Sequence, residues 1–174
     1  MIRIILVFAV VLAAACGGSS QQAGSVTPAR TAQMVDSSGK NVGTASLLES
    51  RAGPLLVLKL GGVSPGTHGL HVHTNGTCTG PTFESAGPHL NLAARKHGLR
   101  NSAGAHTGDL PNVRARADGS VDTTLTLGSG LGGPAALGSG APPRALVLHA
   151  KADDMMTDPS GNSGDRIVCG VLGP

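Results

Sequence analysis

Twenty-seven glycines and eleven prolines punctuate this 174-residue chain, leaving few stretches long enough for a helix of ordinary length. Gly adopts backbone angles that other residues avoid, and Pro removes a donor, so both end regular elements early. What fits between them is a series of short apolar runs. Residues 30–35 and 42–48 flank the turn sequence Asp36-Ser37-Ser38-Gly39-Lys40. Residues 54–60, 70–73, 113–117, 144–149 and 166–171 are further candidates. Within residues 121–127, Val121, Thr123, Leu125 and Leu127 alternate with Asp122, Thr124 and Thr126, the pattern of a half-buried strand. Several short strands with regular turns predict a single all-β domain, a sandwich or barrel. Phe8 and Phe83 are the only aromatics, so its core must be aliphatic.

Three stretches do not read as strands: residues 74–110, 128–143 and 150–165. The first is long and polar, and structureless loops of that length are uncommon unless they serve a function. The formal net charge of +3 comes without a Lys/Arg run, which gives nucleic-acid binding no support.

The first residues carry a different signal. Arg3 precedes an unbroken apolar run over residues 4–15, too short to span a bilayer comfortably but suited to a secretory signal. Ala13-Ala14-Ala15 leads into Cys16, which resembles the bacterial lipobox. Residues 1–15 are therefore expected to be a signal peptide and Cys16 a lipidated residue. Residues 16–28 would form a flexible tether to a membrane, and residues 29–174 the folded domain. The alternative is ordinary signal cleavage, with Cys16 removed or left free. An exported protein with three cysteines has one left over. If Cys16 carries a lipid, Cys78 and Cys169 can pair in an oxidising compartment, closing a loop worth about 4–5 kcal/mol on a chain-entropy model. Two free buried thiols are the other reading.

Seven histidines fall between His68 and His149. His71 and His73 stand two apart in a candidate strand and so face the same side, where they can converge on one ion. His149 ends another apolar run, and His89 comes from the long loop. Four imidazoles suit Cu(II). Further along the loop, His97, His106 and Asp109 offer two nitrogens and an oxygen, and a nitrogen of His89 would complete a closed site of the zinc type. His89 would then serve both metals. A lone His-Val-His is weak by itself, and His68 reads as a structural residue that holds its turn by a hydrogen bond.

At this point the chain resembles the copper/zinc superoxide dismutases. The strings that carry the likeness are Gly69-Leu70-His71-Val72-His73, Gly87-Pro88-His89-Leu90-Asn91, the spacing from His89 through His97 and His106 to Asp109, residues 144–154, and Arg166-Ile167-Val168-Cys169-Gly170-Val171. The likeness implies a Greek-key β-sandwich or flattened barrel of about eight antiparallel strands with long metal-binding and electrostatic loops. It implies copper on His71, His73, His89 and His149, zinc on His89, His97, His106 and Asp109, and a Cys78–Cys169 disulfide. Arg166 would hold superoxide anion beside copper, and Asp153 would link a copper histidine to a zinc histidine. The implied reaction converts superoxide to dioxygen and hydrogen peroxide by Cu(II)/Cu(I) cycling. In it His89 leaves copper on reduction and takes up a proton. The setting would be the periplasm or cell surface, as a monomer or homodimer.

Two features depart from the pattern. Ten residues separate Cys78 from His89, an extension that touches no ligand. Only sixteen separate His149 from Arg166, where Lys151 faces four aspartates. Substrate guidance is therefore expected to rest mainly on Arg166. Two rivals to the enzyme are a non-catalytic exported copper/zinc-binding protein of the same fold and a zinc-only structural domain. The intact ligand set and Arg166 count against both. Asp154 reads as a solvated loop residue.

Overall fold

Alternation of aliphatic and polar residues sets the sheet. In the computed structural model, which describes residues 28–50, 53–128, 136–138 and 140–173, the strands are β1 (Pro28–Asp36), β2 (Asn41–Leu48), β3 (Leu55–Leu60), β4 (Gly66–His68), β5 (Leu70–His73), β6 (Val113–Ala115), β7 (Val121–Thr126), β8 (Arg144–His149) and β9 (Arg166–Leu172). The signal peptide, Cys16 and nearly all of the expected tether lie outside the described residues. Seven strands form one curled antiparallel sheet in the order β5-β8-β9-β1-β2-β3-β7, and β4 pairs with β6 in a second, two-stranded sheet. Neighbours such as β1 with β9 and β5 with β8 are far apart in sequence, as Greek-key connections require. The expected all-β sandwich or flattened barrel is what the chain forms.

The inward rows are aliphatic: Ala32 and Met34, Ala45 and Leu47, Leu56 and Leu58, Leu70 and Val72, Leu146 and Leu148 are all buried. Along β7 and just beyond it, Val121 and Leu127 are buried while Asp122, Thr124 and Thr126 are exposed. The Asp36 turn closes with Asp36 Oδ1 accepting from the Ser38 N–H and hydroxyl at 2.9 and 2.6 Å. Arg30, itself buried near the start of β1, donates to the carbonyls of Gly138, Ala141, Pro142 and Leu172. Those bonds dock the described part of the third connection against the barrel.

Two expectations need adjustment. His68, expected to hold a turn, sits instead in β4, with Nδ1 2.8 Å from the His149 carbonyl and Nε2 2.8 Å from that of Ser64. His68 is thus structural, as expected, but in a strand. β6 ends at Ala115 because Arg116 already belongs to the next turn, its N–H donating to Ser120 O at 2.8 Å.

Candidate metal centre

β5 is an edge strand of the large sheet, and its free edge is occupied by the loop of residues 74–110. Unpaired edge groups invite pairing. Here Val72 N–H donates to Gly108 O at 2.8 Å, and Leu90 N–H donates to Val72 O at 2.8 Å. Gly108 allows this approach, because a Cβ there would overlap the Val72 carbonyl. Bridges pair His71 with Asp109 and His73 with His89. The same loop is fixed at its other end by the Cys78–Cys169 disulfide, with Cα atoms 5.7 Å apart. Phe83, Ala86, Ala145, Val147 and Cys169 pack there as a second small core. A short 3-10 helix, Glu84–Ala86, lies in this subloop.

On β5, Leu70 and Val72 face the barrel core, while His71 and His73 face the loop and are fully buried. His71, His73, His89 and His149 each bring one ring nitrogen within 4.8 Å of the others. The outward nitrogens are spoken for. His71 Nε2 donates to Asp153 Oδ2 at 2.9 Å, His73 Nδ1 to Gly87 O at 2.8 Å, and His149 Nδ1 to Gly164 O at 3.0 Å. An N–H on that side leaves a lone pair on the other. The nitrogens that remain, His71 Nδ1, His73 Nε2 and His149 Nε2, are buried and make no hydrogen bond. Buried polar atoms are rarely left so. Three inward lone pairs beside His89 fit a metal that takes imidazole.

The second half converges on one oxygen. Asp109 Oδ1 lies 3.0 Å from His89 Nδ1, 3.0 Å from His97 Nδ1 and 3.4 Å from His106 Nδ1. Its Oδ2 is held by the backbone N–H groups of Gly98 at 2.8 Å and His106 at 2.9 Å. His97 and His106 Nδ1 make no hydrogen bond of their own. Two imidazole nitrogens, a carboxylate oxygen and a third nitrogen suit zinc. The second quartet whose ligand atoms lie mutually within 4.8 Å is His71, His89, His97 and Asp109, with His106 joined to it through Asp109; the His71 ring stacks on that of His89 with centroids 3.9 Å apart. His71 Nε2, however, is already committed to Asp153. With Nδ1 of His89 turned to Asp109, its Nε2 is the atom left for the first quartet.

Asp153 ties the halves together, accepting from His71 on Oδ2 and from His97 Nε2 on Oδ1 at 3.0 Å. A Cβ at Gly161, whose φ is +61°, would collide with that carboxylate. Electrostatics prepares the site for cations. Burial pushes His71 down to about 4 against the pull of Asp153, and His149 down to about 3. Both rings are therefore neutral at pH 7, the form in which an imidazole can bind a metal. Burial would raise the Asp109 carboxyl, but the His89 hydrogen bond and the Gly98 N–H outweigh it and hold it down at about 2.

A cleft of about 960 Å³ opens onto His89, His106, His149 and Arg166. Arg166 donates Nη1 to Phe83 O at 2.7 Å and Nη2 to Gly87 O at 2.9 Å. Burial lowers its guanidinium from the ordinary value, while Glu84 acts the other way. A guanidinium has five N–H donors, so others are left for a small anion. Arg95 and Lys96 also line this cleft. Sequence reasoning missed both, since it sought steering charge only in residues 150–165. Asp154 is exposed and accepts from Met156 N–H and Thr157 N–H, as a solvated loop residue does.

The model of the copper/zinc superoxide dismutase family matches residues 41–172. A Cu-Zn superoxide dismutase of Caulobacter vibrioides is 41% identical over 147 residues, 82% of this chain and 84% of that protein. The superoxide dismutase-like protein YojM of Bacillus subtilis is 42% identical over 149 residues, 80% of this chain and 74% of that one. Among solved structures, a SOD-like protein from Bacillus subtilis superposes with TM-score 0.74 at 37% identity, covering 84% of this chain and 99% of that one. The Cu/Zn superoxide dismutase of Brucella abortus gives TM-score 0.67 at 29% identity, covering 82% and 97%. With the fold, the disulfide and two adjoining histidine clusters in place, this chain belongs to the copper/zinc superoxide dismutase family.

Proposed function

We propose that this protein is an active superoxide dismutase that works outside the cytoplasm. Copper would be held by His71, His73, His89 and His149, and zinc by His89, His97, His106 and Asp109. The observation that carries the reading is the set of five buried ring nitrogens, on His71, His73, His97, His106 and His149, that lack any hydrogen bond and point into the two clusters. Relatives of comparable identity include proteins named as dismutases and one named only dismutase-like. The intact donor set and Arg166 favour the enzyme over a metal-storing module.

When bound, copper supplies one-electron exchange between Cu(II) and Cu(I), and zinc a redox-silent charge that fixes its ligands. The chain's own residues do the rest. Arg166, anchored on Phe83 O and Gly87 O, draws a small anion to the cleft floor and orients it. His89 stands where that floor meets both clusters. Its Nδ1 stays on the Asp109 side, so Nε2 is the position that can hold a proton and deliver it to the departing peroxide. Asp153 keeps the His71 and His97 rings in register, so the two clusters keep their spacing.

The setting rests on the sequence. Residues 1–15 would direct export, Cys16 would carry a lipid, and residues 16–28 would tether the domain of residues 29–174 to a membrane at the cell envelope. The Cys78–Cys169 disulfide is consistent with an oxidising compartment. There the enzyme would remove superoxide arising outside the cytoplasm.

A superoxide-decay assay on protein loaded with both metals tests this, with His71→Ala as control. Rapid decay by the parent and its loss in the variant with zinc retained is the expected result. Zinc binding without turnover in either protein would leave a structural module instead.

A further inference from the structure

The loop of residues 150–165 packs against the metal loop near His97 and His106, and Asp158 stands at the join. Its Oδ1 accepts the His97 backbone N–H at 2.7 Å and lies 3.7 Å from His106 Nε2, while its Oδ2 accepts from Lys96 Nζ at 3.1 Å. One carboxylate thus touches the backbone of one candidate zinc ligand and faces the ring of another. Neighbouring bonds brace the join: Arg100 N–H donates to Met155 O at 3.0 Å, and Asn101 Nδ2 to Met156 O at 3.1 Å.

We infer that Asp158 is a positioning residue for the zinc half of the site, the outer counterpart of Asp153. The inference rests on the zinc assignment above and extends it to a residue that touches no metal. His106 is the least enclosed ring of its cluster, with its side chain 9% exposed beside 0% for His97. Its Nδ1 turns inward to Asp109, so its Nε2–H is the group that an outside acceptor must orient. Carboxylates that take the second N–H of a ligating histidine set its tautomer and ring angle, and their loss typically lowers metal affinity about 10–100-fold. Asp153 fills that role for His97. No other carboxylate faces Nε2 of His106 among the described ion pairs. The Lys96 contact has a different standing: both partners are exposed, and pairs of that kind contribute little.

The test measures zinc affinity by chelator competition on the disulfide-bonded protein, for the parent, Asp158→Ala, Asp158→Asn and Lys96→Ala. Cobalt in place of zinc gives a visible absorption band that reports ligand geometry directly. Asp158→Ala is expected to weaken zinc about 10–100-fold and to shift the cobalt band, with the copper spectrum unchanged. Asp158→Asn keeps an oxygen for the His97 N–H but loses the charge, and should fall between. Lys96→Ala should change affinity less than threefold. Asp158 lies on the surface, so the variants should fold, and circular dichroism checks this. A parent that binds zinc, with both Asp158 variants matching it in affinity and cobalt band, overturns this inference alone. A parent that binds no zinc overturns the zinc assignment and this inference with it. A loss in Lys96→Ala equal to that in Asp158→Ala would make the surface ion pair the cause, also against the proposal.

Discussion

His73 and Arg166 share one acceptor: the carbonyl oxygen of Gly87 takes the His73 Nδ1–H at 2.8 Å and the Arg166 Nη2–H at 2.9 Å. A candidate copper ligand and the candidate substrate arginine are therefore set by the same peptide group. That peptide lies in the subloop that Cys78 ties to Cys169 in β9. On the proposed function the disulfide would act on the chemistry through the position of Gly87 as well as on stability.

Breaking it should show both effects. Cys78→Ser is expected to lower unfolding free energy by about 2–5 kcal/mol, the usual cost for a native disulfide. Activity per bound copper should fall roughly ten- to a hundredfold, because Arg166 loses its frame. Denaturant titration and a copper-normalised assay check the two. Unchanged activity per copper would show that Gly87 holds its place without the bridge.

The rim of the cleft makes a separate prediction. Arg95 and Lys96 come from the metal loop, and Lys96 is partly neutralised by Asp158. Arg95 should therefore share the steering of superoxide with Arg166. Between low and physiological salt, where the screening length shrinks to about 8 Å, the parent rate should fall, and Arg95→Ala should flatten that slope. Arg166→Ala should flatten it and also lower the low-salt rate. If Arg95→Ala leaves the slope unchanged, guidance rests mainly on Arg166, as the sequence suggested.

Asp153 should be the most sensitive residue outside the ligands. Asp153→Asn removes the charge shared by His71 and His97 and is expected to weaken copper or zinc about 10–100-fold. Gly161→Ala should act in the same direction, since the added methyl displaces that carboxylate. Metal retention during dialysis against a chelator measures both. A Gly161→Ala protein that holds metal as tightly as the parent would mean the loop can yield at no cost.

The metal-free protein should be sensitive to mild acid. His71 and His149 are pushed to about 4 and about 3 in the folded state, and His73 is lowered further, all by burial. The unfolded chain takes up these protons near pH 6.5 while the folded chain does not. Stability is then fully present above 6.5 and declines as pH falls from there towards 4. Each such proton contributes about 1.4 kcal/mol per pH unit, so the three together give a slope of roughly 4. Asp109, held at about 2, adds nothing in this window, because its contribution disappears only below pH 3.8. Denaturant midpoints of chelator-treated protein at pH 7, 6 and 5 should drop steadily. A flat series would mean these rings are hydrated or already protonated.

Much of this was legible in the residues themselves. The alternation of Val121 to Leu127 gave the inward face of β7, and the histidine spacing pointed to the residues that gather beside β5, because chemistry-bearing side chains advertise themselves; that His71 rather than His106 stands in the second close quartet was not legible there. Other features depend on contacts that no local pattern encodes. β4 is three residues beside a Pro-Gly turn and exists as a strand only through its pairing with β6. Arg30 looked like an ordinary strand residue until carbonyls more than a hundred positions away enclosed it. Asp158 read as one of four similar loop aspartates, and its bond to His97 spans 61 residues. Arg95 and Lys96 reach the cleft because the metal loop folds back over β5, a path that spacing alone does not reveal.

The central claim is a two-metal site with distinct copper and zinc halves, and metal content per chain tests it most directly. Protein reconstituted with both ions is expected to hold near one copper and one zinc. His149→Ala, which removes a nitrogen from the first cluster only, should lose copper and keep zinc. Binding of zinc alone by the parent, or loss of both metals together in His149→Ala, would contradict it.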